Sequence, residues 1–438
     1  MGKLFGTDGV RGRVGTELTV QIALKLGLAF GEFLNRRGKV VLGRDTRISG
    51  PMLERSLVAA LNSVGVDVVR VGVLPTPAIS LLVRQMGAEG GVMITASHNP
   101  YEDNGLKFFD QNGRKLSPAS EEVLEKFYHA GKVCYATGPE IGSSWREDAS
   151  WDYLQFLKGL VPGKTPFAGL KVVVDSANGA TYRIAPHLLE ELGAEVVTIG
   201  NEPDGTNINR GVGALYPEKL GEKVREVEGD VGFGLDGDGD RLVVVDQRGI
   251  PIDGDHLIGG IAQFLYRKGL LKGGVVVTIM SNAGLERFLK GLGIPIWRSP
   301  VGDRNLLQIM EERGANFGGE QSGHIIFKDY AQTGDGLLSL LIVLQMMVEL
   351  GEGVDKLFRL FPLLPQLQTA LPVSEKIPLE QVEGFVELIT QLQEEKIRPV
   401  IRYSGTENKL RILLEGEDRE RLHFQMDKLC NFFQTRLR

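Results

Sequence analysis

The feature that most limits the fold of this chain is a unit that occurs three times. LNSVGVDVVRVG ends at Gly72, LEELGAEVVTIG ends at Gly200, and LKGLGIPIWRSP ends at Pro300. Each copy reads as the last turn of a helix, a glycine that ends the helix, and an extended apolar run. Another apolar strand and a glycine-rich or polar loop precede each copy. Together these form a βαβ unit, so we expect three α/β domains with largely parallel strands.

The residues after 364 lack this unit and predict a different kind of domain. PVIRYSGTENKLRILLEG, which begins at Pro399, predicts two strands around a loop, and a helix follows from about Asp418. The expected fold class is therefore α/β, with three similar mixed α/β domains and a smaller C-terminal α+β domain. Polar and proline-rich connections place these domains at residues 1–148, 149–250, 251–364 and 365–438.

Charge and composition exclude several classes of protein. A formal net charge of −6 gives no support for nucleic-acid binding, which usually shows a basic surplus. Two cysteines are too few for a disulfide framework, and no Cys/His cluster has zinc-ligand spacing. The N-terminus lacks the apolar segment of a signal peptide, and nothing approaches the ~18 consecutive apolar residues that cross a bilayer. We therefore expect a cytoplasmic protein with no nucleic-acid or membrane partner.

The loop LDGDGDR places carboxylates at three alternate positions, Asp236, Asp238 and Asp240. In an extended or tightly turned loop these side chains can converge, and close carboxylates repel one another unless a cation neutralises them. An EF-hand is excluded, because its sixth position would be Arg241 in place of glycine and its twelfth Gln247 in place of glutamate. A catalytic magnesium ion with open coordination positions suits the loop, and a solvated acidic turn is the alternative.

The stretch GVMITASHNP places a serine beside a histidine, Ser97 and His98, just beyond an apolar strand. Loops beyond strand ends are where α/β proteins bind ligands. The stretch lacks the G-x-S-x-G motif of α/β-hydrolases, and adjacent side chains of an extended chain point to opposite sides. We therefore expect that the two residues do not form a nucleophile–base pair. An ordinary serine at a strand end is the alternative to one that works with the metal loop.

The segment RYSGTENKLR has the composition of a phosphate-binding loop. Its hydroxyls, amide and exposed backbone N–H groups, with an arginine at each end, can wrap a phosphate dianion. The residues concerned are Arg402, Ser404, Gly405, Thr406, Asn408 and Arg411. A hairpin loop with incidental arginines is the alternative.

Three further loops carry polar groups that can bind a ligand. GGEQSGH can bind vicinal hydroxyls, although an ordinary surface loop has the same composition. Its polar side chains are Glu320, Ser322 and His324. The loops FGTDGVRG and GRDTR add arginines that could face an anion or join domains through ion pairs. These arginines are Arg11, Arg44 and Arg47.

With these motifs together, the sequence resembles the α-D-phosphohexomutase family. TASHNP, DGDGDR, GEQSGH and RYSGTEN occur in the family's order and spacing, and the resemblance covers essentially the whole chain. It implies four domains around one central cleft. It also implies an intramolecular phosphotransferase of the isomerase class, with a phosphoserine and a bound Mg²⁺ ion.

The resemblance implies a role for each matching residue. Ser97 would carry the transferable phosphoryl group, and a phosphate oxygen on it would complete the magnesium site of Asp236, Asp238 and Asp240. Lys107 would be the general base, with a pKa lowered by neighbouring cations. The supporting active-site cations would be Arg11 and His98. The residues that contact the substrate or its phosphates would be Arg241, Arg304, Glu320, Ser322, His324, Arg402, Ser404, Gly405, Thr406 and Arg411.

Within the family, the segments GEQSGH, NGATYRIAP and PDGTNIN resemble the members that act on glucosamine phosphates. The implied reaction interconverts glucosamine 6-phosphate and glucosamine 1-phosphate through glucosamine 1,6-bisphosphate, and feeds UDP-N-acetylglucosamine and cell-wall synthesis. After NIN the chain reads RGVGALYPEKL, where the resemblance leads us to expect a segment containing Cys-Gly-Ser/Thr. We expect a monomer or a homodimer. The alternatives are a mutase of mannose or glucose phosphates, a metal-dependent sugar-phosphate phosphatase, and a non-catalytic protein that binds sugar phosphates.

Overall fold

The computed structural model of the chain contains four β-sheets, of six, five, four and three strands. It describes residues 4–6, 8–404 and 408–437. Within these ranges, no helix is both long enough and apolar enough to cross a membrane.

The first domain is built around the six-stranded sheet. Its elements are β1 (Val10–Arg13), α1 (Val20–Phe33), β2 (Lys39–Arg44), α2 (Gly50–Ser63), β3 (Asp67–Val73), α3 (Thr76–Gln85), β4 (Gly90–Ile94), β5 (Asp103–Asp110), α4 (Pro118–Ala130) and β6 (Ser144–Arg146). The strands lie in the order β1-β5-β4-β2-β3-β6. β5 runs in the direction opposite to the other five strands, so the sheet is mixed.

The second and third domains repeat the central part of this arrangement. The second contains α5 (Ser150–Lys158), β7 (Lys171–Asp175), α6 (Ile184–Glu191), β8 (Glu195–Ile199), α7 (Pro217–Glu226), β9 (Val231–Leu235), β10 (Leu242–Asp246) and β11 (Pro251–Ile252). The third contains α8 (Gly254–Arg267), β12 (Val275–Thr278), α9 (Ala283–Gly291), β13 (Ile296–Ser299), α10 (Asp303–Arg313), β14 (Phe317–Gly319), β15 (Ile325–Phe327), α11 (Gly336–Leu350) and α12 (Val354–Phe358). Their strand orders are β11-β10-β9-β7-β8 and β13-β12-β14-β15.

The three-fold repeat found in the sequence corresponds to one topology used three times. In each copy the glycine after the helix has a positive φ, 89° at Gly65, 92° at Gly193 and 75° at Gly293. This left-handed conformation ends the helix and turns the chain into the next strand. The strands on either side of the helix then pair in parallel, as β2 with β3, β7 with β8 and β12 with β13.

The fourth domain has the two strands and final helix that the sequence predicts. Its elements are β16 (Gln366–Pro372), α13 (Phe385–Glu394), β17 (Arg398–Tyr403), β18 (Lys409–Glu415) and α14 (Arg419–Arg436). The sheet is antiparallel in the order β16-β18-β17. Asp418 is the N-cap of α14, and its carboxylate accepts a hydrogen bond from the Arg421 N–H at 3.1 Å.

The hydrophobic core differs between the first three domains and the fourth. One continuous cluster of buried side chains runs from Val41 on β2 through Val174 on β7 to Leu341 on α11. The fourth domain has a cluster of its own, which includes Leu410 and Leu429. The first three domains therefore share a core that holds their loops in place, while the fourth is attached mainly through polar contacts such as Arg398 Nη1 to the Ile279 carbonyl at 2.8 Å.

The topology explains why the sequence motifs can meet. In each of the first three domains, one motif fills the connection between the third parallel strand and the antiparallel strand that follows it. TASHNP lies between β4 and β5, DGDGDR between β9 and β10, and EQSGH between β14 and β15. The fourth motif is the connection between β17 and β18. Equivalent loops at equivalent sheet ends are thus turned toward one another by the packing of the domains.

Candidate active site

Three buried carboxylates lie together in the loop between β9 and β10. Asp236, Asp238 and Asp240 are 1%, 0% and 3% exposed, and one ligand oxygen from each lies within 4.8 Å of the others. Burial, together with the charges of Asp240 and Asp238, raises the pKa of Asp236 to about 8. The sequence prediction that these side chains converge is confirmed, and the cluster is compatible with a metal site.

The acidic cluster has a positive neighbour and unused ligand atoms. Lys107 Nζ donates to Asp238 Oδ2 at 2.7 Å and to Asp240 Oδ2 at 3.2 Å, and the Thr76 hydroxyl donates to the same Asp238 oxygen. The Oδ1 atoms of Asp238 and Asp240 are buried without a hydrogen-bond partner among the described residues, although His324 Nδ1 lies 3.7 Å from that of Asp240. Buried carboxylate oxygens normally have partners, and hard divalent cations take such ligands. The residues present therefore fit a divalent cation.

Ser97 has a backbone conformation that is rare for a residue with a side chain. Its φ is 52°, in the left-handed region, which costs a non-glycine residue free energy and is concentrated at functional sites. Its Oγ donates to Asp236 Oδ2 at 2.6 Å. The motif loops of the first and second domains therefore meet at the Ser97 hydroxyl.

The expectation that the side chains of Ser97 and His98 point apart is wrong. It assumed an extended chain, whereas the left-handed conformation of Ser97 turns both side chains to one side, with Oγ and Nδ1 3.3 Å apart. The implied role of His98 as a cation is also wrong at neutral pH. Burial and the charges of Arg241 and Arg11 lower its pKa to about 4, so the imidazole is neutral.

The expected lowering of the Lys107 pKa is wrong in this structure. Burial lowers this pKa, but the carboxylates of Asp238, Asp240 and Asp8 outweigh burial and hold it well above its usual value. The charge of Arg11 acts in the expected direction and is outweighed. The prediction failed because it counted the cations near Lys107 and missed the carboxylates, one of which sequence analysis had not assigned.

An ion-pair network extends the site to residues that the sequence analysis did not assign. Asp8 Oδ2 lies 3.1 Å from Lys107 Nζ, and the Asp8 carboxylate also pairs with Arg11 and Lys115. Lys115 Nζ lies 2.6 Å from Asp303 Oδ2 in the third domain. The position of Asp8 in FGTDGVRG was the available signal for it, whereas Lys115 lies in no motif and could be found only from the tertiary structure.

Part of this network lines one open cavity of about 490 Å³ at the junction of the first three domains. Its polar and charged side chains are Asp8, Arg11, His98, Lys115, Asp240, Arg241, Asp303, Glu320 and His324. The volume lies in the range of small-molecule sites. The mixture of cations and carboxylates suits a ligand that carries both phosphate and hydroxyl groups.

The predicted substrate-binding residues of the third domain have two kinds of position, at the cavity wall and at a contact with the first domain. Glu320 Oε1 accepts from the Gly302 N–H at 3.0 Å, and Ser322 Oγ donates to Glu320 Oε2 at 3.3 Å, so this loop is ordered at the cavity wall. Arg304 instead forms a bidentate ion pair with Glu121 on α4, with nitrogen–oxygen distances of 2.7 and 2.5 Å. Its planar guanidinium group joins the third domain to the first in this structure.

Arg402 and Arg411 lie directly opposite each other on β17 and β18. They line a separate opening of about 200 Å³, outside the cavity of the first three domains. Burial and the charge of Arg411 lower the pKa of Arg402, whose Nε has no hydrogen-bond partner among the described residues. Two adjacent like charges favour an anion between them. Of the other predicted phosphate ligands, Ser404 is buried, and Gly405 and Thr406 lie outside the described residues.

Arg47 supports the serine loop from beneath and is fully buried. Its Nε donates to Asp45 Oδ2 at 2.9 Å, and its Nη2 donates to the carbonyls of Ser97 at 3.0 Å and Asn99 at 2.8 Å. Asn209 Nδ2, in the second domain, donates to the same Ser97 carbonyl at 2.8 Å. The sequence analysis named Arg47 as an arginine that could face an anion or join domains, and it did not assign Asn209. In the structure both residues hold Ser97 in its strained conformation.

Replacing Arg47 with methionine is expected to destabilise the protein by about 3–5 kcal/mol, because Asp45 is left buried without its cation. Activity should fall as well, since the Ser97 loop loses two donors. Urea unfolding measures the stability, and an assay of the phosphohexomutase reaction that the sequence resemblance implies measures the activity. The control is Arg36→Met, at an exposed ion pair with Glu32, where a change within about 1 kcal/mol is expected. An Arg47→Met protein with wild-type stability would contradict the supporting role.

Comparison with known proteins establishes the family. Residues 2–133, 152–249 and 253–363 match the first, second and third α/β/α domains of phosphoglucomutase/phosphomannomutase, and residues 369–431 match its C-terminal domain. A Nautilia profundicola protein named phosphoglucosamine mutase is 49% identical over 438 residues, covering 99% of this chain and 100% of the relative. The chain belongs to the phosphoglucomutase/phosphomannomutase family. A Sulfurovum protein that is also named phosphoglucosamine mutase is 47% identical, over 99% of both chains.

Solved structures of this family have the same fold. A phosphoglucomutase/phosphomannomutase family protein from Burkholderia thailandensis has a TM-score of 0.82 and 25% identity, covering 99% of this chain and 97% of the other. An N-acetylphosphoglucosamine mutase from Aspergillus fumigatus, solved with GlcNAc-6P and magnesium, has a TM-score of 0.69 and 18% identity, covering 98% and 95%. Family membership confirms the predicted α/β fold class and the predicted enzyme class, a phosphohexomutase.

Proposed function

We propose that the chain interconverts glucosamine 6-phosphate and glucosamine 1-phosphate, with Ser97 as the phosphoryl carrier. The observation that carries this proposal is the Ser97 hydroxyl, held in a strained conformation 2.6 Å from the buried acidic cluster. Full-length relatives named phosphoglucosamine mutase support the choice of sugar. An amino-sugar phosphate is also the ligand of the A. fumigatus protein solved with GlcNAc-6P, which has the same fold.

The proposed reaction consists of two transfers that balance without water. Phosphorylated Ser97 gives its phosphoryl group to the C1 hydroxyl of glucosamine 6-phosphate, so that the Oγ–P bond breaks, an O1–P bond forms and the hydroxyl proton leaves. The resulting 1,6-bisphosphate then reorients in the cavity, so that its 6-phosphate faces Ser97. Its 6-phosphoryl group then returns to Ser97 Oγ, O6 takes up a proton, and glucosamine 1-phosphate is released. Such transfers pass through a loose transition state, so the protein mainly provides positioning and charge neutralisation.

Asp236, Asp238 and Asp240 would hold a Mg²⁺ ion, with a phosphate oxygen on Ser97 as a further ligand. When bound, this ion supplies Lewis-acid stabilisation of the charge on the phosphoryl oxygens. Arg11 and Arg241 line the same cavity and add positive charge beside the serine.

Lys107 is the proposed group that takes and returns the hydroxyl proton. Its Nζ pairs with Asp238 and Asp240 of the metal site and with Asp8. It stays protonated while these three carboxylates are charged. It can therefore accept a proton only when the charge of these carboxylates is neutralised. In the proposal, Lys107 can therefore act as the base only when Mg²⁺ is bound.

The relatives favour a mutase over the phosphatase alternative. Ser97 and Lys107 are each 1% exposed, so a sugar hydroxyl or a water molecule must enter the cavity to reach the serine. A phosphatase needs a water molecule in line with the phosphoserine, whereas a mutase must exclude it. The full-length relatives named phosphoglucosamine mutase support the mutase.

The phosphoryl-carrier proposal is tested by intact-mass spectrometry of the purified protein. We expect one phosphate group on part of the protein, located at Ser97 by peptide fragmentation and lost on incubation with unphosphorylated glucosamine. Phosphorus NMR should then show interconversion of the two glucosamine phosphates. Steady release of inorganic phosphate without isomer formation would indicate a phosphatase instead. Activity of a protein that never carries phosphate would contradict the mechanism.

Replacing Arg402 with glutamine is expected to raise KM for the sugar phosphate by about tenfold to a hundredfold, because the non-reacting phosphate loses charge-assisted hydrogen bonds. The kcat value should change less, since this contact is made in both ground and transition states. Arg402→Lys keeps the charge but not the planar guanidinium group, and its KM should lie between those of wild type and Arg402→Gln. Arg287→Gln, at an exposed ion pair with Glu417, serves as the control. An unchanged KM for Arg402→Gln would remove Arg402 from the phosphate site.

A further inference from the structure

A second and larger cavity, of about 730 Å³, opens at the seam between the first and second domains. Among the described residues it shares no lining residue with the catalytic cavity. Its walls come from the carboxyl ends of β2 and β3, the first turns of α2, strand β6, and the beginnings of α5 and α6. We name it the arginine cavity, after the five arginines that line it: Arg44, Arg55, Arg70, Arg146 and Arg183.

Four of these arginines form no ion pair within 4 Å among the described residues. Arg146 and Arg183 nevertheless lie near Asp148, whose pKa is lowered by hydrogen bonds from Ser150 and by these two charges. The fifth, Arg44, pairs with Glu54, with Nε and Oε2 3.0 Å apart. Three carboxylates and a histidine also line the cavity: Glu54, Glu147, Asp148 and His187. The five guanidinium groups still outnumber these carboxylates, in a protein whose net charge is −6. Such a local excess of positive charge attracts anions.

Two of the arginines are held side by side by the sheet itself. Strands β3 and β6 pair in parallel with Arg70 opposite Arg146, which places both side chains on the same face. Like charges in this position repel each other, and Arg70 Nε is buried without a hydrogen-bond partner among the described residues. A buried donor without a partner costs free energy that a bound acceptor restores. A phosphate between the two guanidinium groups meets both requirements.

Aromatic rings lie on the same walls. Trp151, at the beginning of α5, is 55% exposed and lines the cavity together with Tyr182. The Arg183 guanidinium lies 5.1 Å from the centre of the Tyr182 ring. An exposed tryptophan in a charged cavity offers a planar surface for a ligand ring. Phosphate-binding arginines and ring-binding aromatics therefore occur in one space large enough for a nucleotide.

We propose that the arginine cavity is a nucleotide-binding site, with the phosphates on Arg70 and Arg146 and the base against Trp151 or Tyr182. Two segments of its walls continue directly into the metal loop. Leu74 lies two residues before Thr76, whose N–H donates to the Asp238 carbonyl at 2.9 Å. Just before Tyr182, the Ala180 N–H donates to the Gly237 carbonyl at 2.8 Å. A nucleotide in the cavity therefore contacts segments that lead, within two residues, to supports of the catalytic loop, and it should alter mutase activity.

Isothermal titration calorimetry of the full chain in EDTA, with ADP and UDP, tests the proposal. Wild-type protein should bind both, and Arg70→Gln and Arg146→Gln should each bind about tenfold to a hundredfold more weakly, as expected for a lost charge-assisted hydrogen bond. Arg267→Gln, at an exposed position on α8, is the matched control and should bind as wild type does. Arg402→Gln should also bind normally, which separates this site from the proposed substrate phosphate site. Because Arg146 is exposed, its variant is expected to fold, and thermal unfolding checks this.

Probe chemistry and fluorescence provide the remaining tests. Nucleotides should quench tryptophan fluorescence in wild type and not in Trp151→Phe, and pyrophosphate should bind more weakly than ADP. The proposal is overturned if neither nucleotide binds, if both arginine variants bind them with wild-type affinity, or if glucosamine 6-phosphate displaces them from the cavity. Basal mutase activity of Arg146→Gln should equal that of wild type. Since that activity does not depend on nucleotide, failure here leaves the proposed function standing.

Discussion

Replacement of Ser97 with alanine should lower the interconversion of glucosamine phosphates by at least about 10⁴-fold. The side chain loses the only atom that can form the covalent bond to phosphorus, while the lining of the cavity remains. Sugar-phosphate binding should therefore persist, so that the loss appears in kcat and much less in KM. Phosphorus NMR of the two glucosamine phosphates measures the rate, and intact mass should show no phosphate on the variant.

Two further variants distinguish the role of the Ser97 hydroxyl from that of its backbone conformation. Ser80→Ala removes another buried hydroxyl of the first domain, which donates to the Gly113 carbonyl, and should keep activity with a stability loss of about 1 kcal/mol. Ser97→Thr keeps a hydroxyl but adds a β-branch at a φ of 52°, where branched side chains are strained. It should be much less active than wild type. Retention of both phosphate and activity by Ser97→Ala would remove Ser97 from the mechanism.

The repeated domains could be predicted because their signals are local. A helix end, a glycine and an apolar strand follow one another within a few residues, and the glycines at 65, 193 and 293 have the positive φ that this reading requires. The converging carboxylates of Asp236 and Asp240 were predictable for the same reason. The boundaries between the domains, the cytoplasmic location and the oligomeric state stay predictions of the sequence. The pairing of β11 with β10 shows that the second sheet extends past residue 250.

The parts that failed depend on the tertiary structure. The side chains of Ser97 and His98 meet because Arg47 and Asn209 hold one backbone angle, and nothing in TASHNP reports it. The neighbours of Lys107 come from the loops of two domains, so its pKa could not be judged from the residues adjacent in sequence. The predicted contact of Arg304 with the substrate stays a prediction, and its ion pair with Glu121, 183 positions away, could not be foreseen from the sequence. Electrostatic environment is a property of the assembled domains, and motifs do not encode it.

Replacing Asp236 with asparagine is expected to make the metal-free protein more stable and the enzyme inactive. The folded protein raises the Asp236 pKa to about 8, while the unfolded chain has the ordinary value of about 4. The folded state thus binds this proton more tightly, and ionisation costs stability: the penalty is absent below about pH 4 and grows as the pH rises toward 8. Asparagine never ionises, so in EDTA the variant should exceed wild type by more than about 1 kcal/mol at pH 8, and by less at pH 5.

Magnesium should reverse this order. Wild-type protein should gain about 2.7 kcal/mol when Mg²⁺ is present at a hundred times its Kd, because the ion binds only the folded state. The variant should gain little, and its activity should fall by about 10³-fold with the loss of the metal's charge stabilisation. Asp152→Asn, at an exposed position on α5, controls for the change of side chain and should show neither effect. If Asp236→Asn were less stable than wild type at pH 8 in EDTA and still responded to Mg²⁺, the three carboxylates would not form a strained metal site. The opposite result would mean that the protein gives up folding stability for a cluster of negative charge that becomes favourable only when the metal ion is bound.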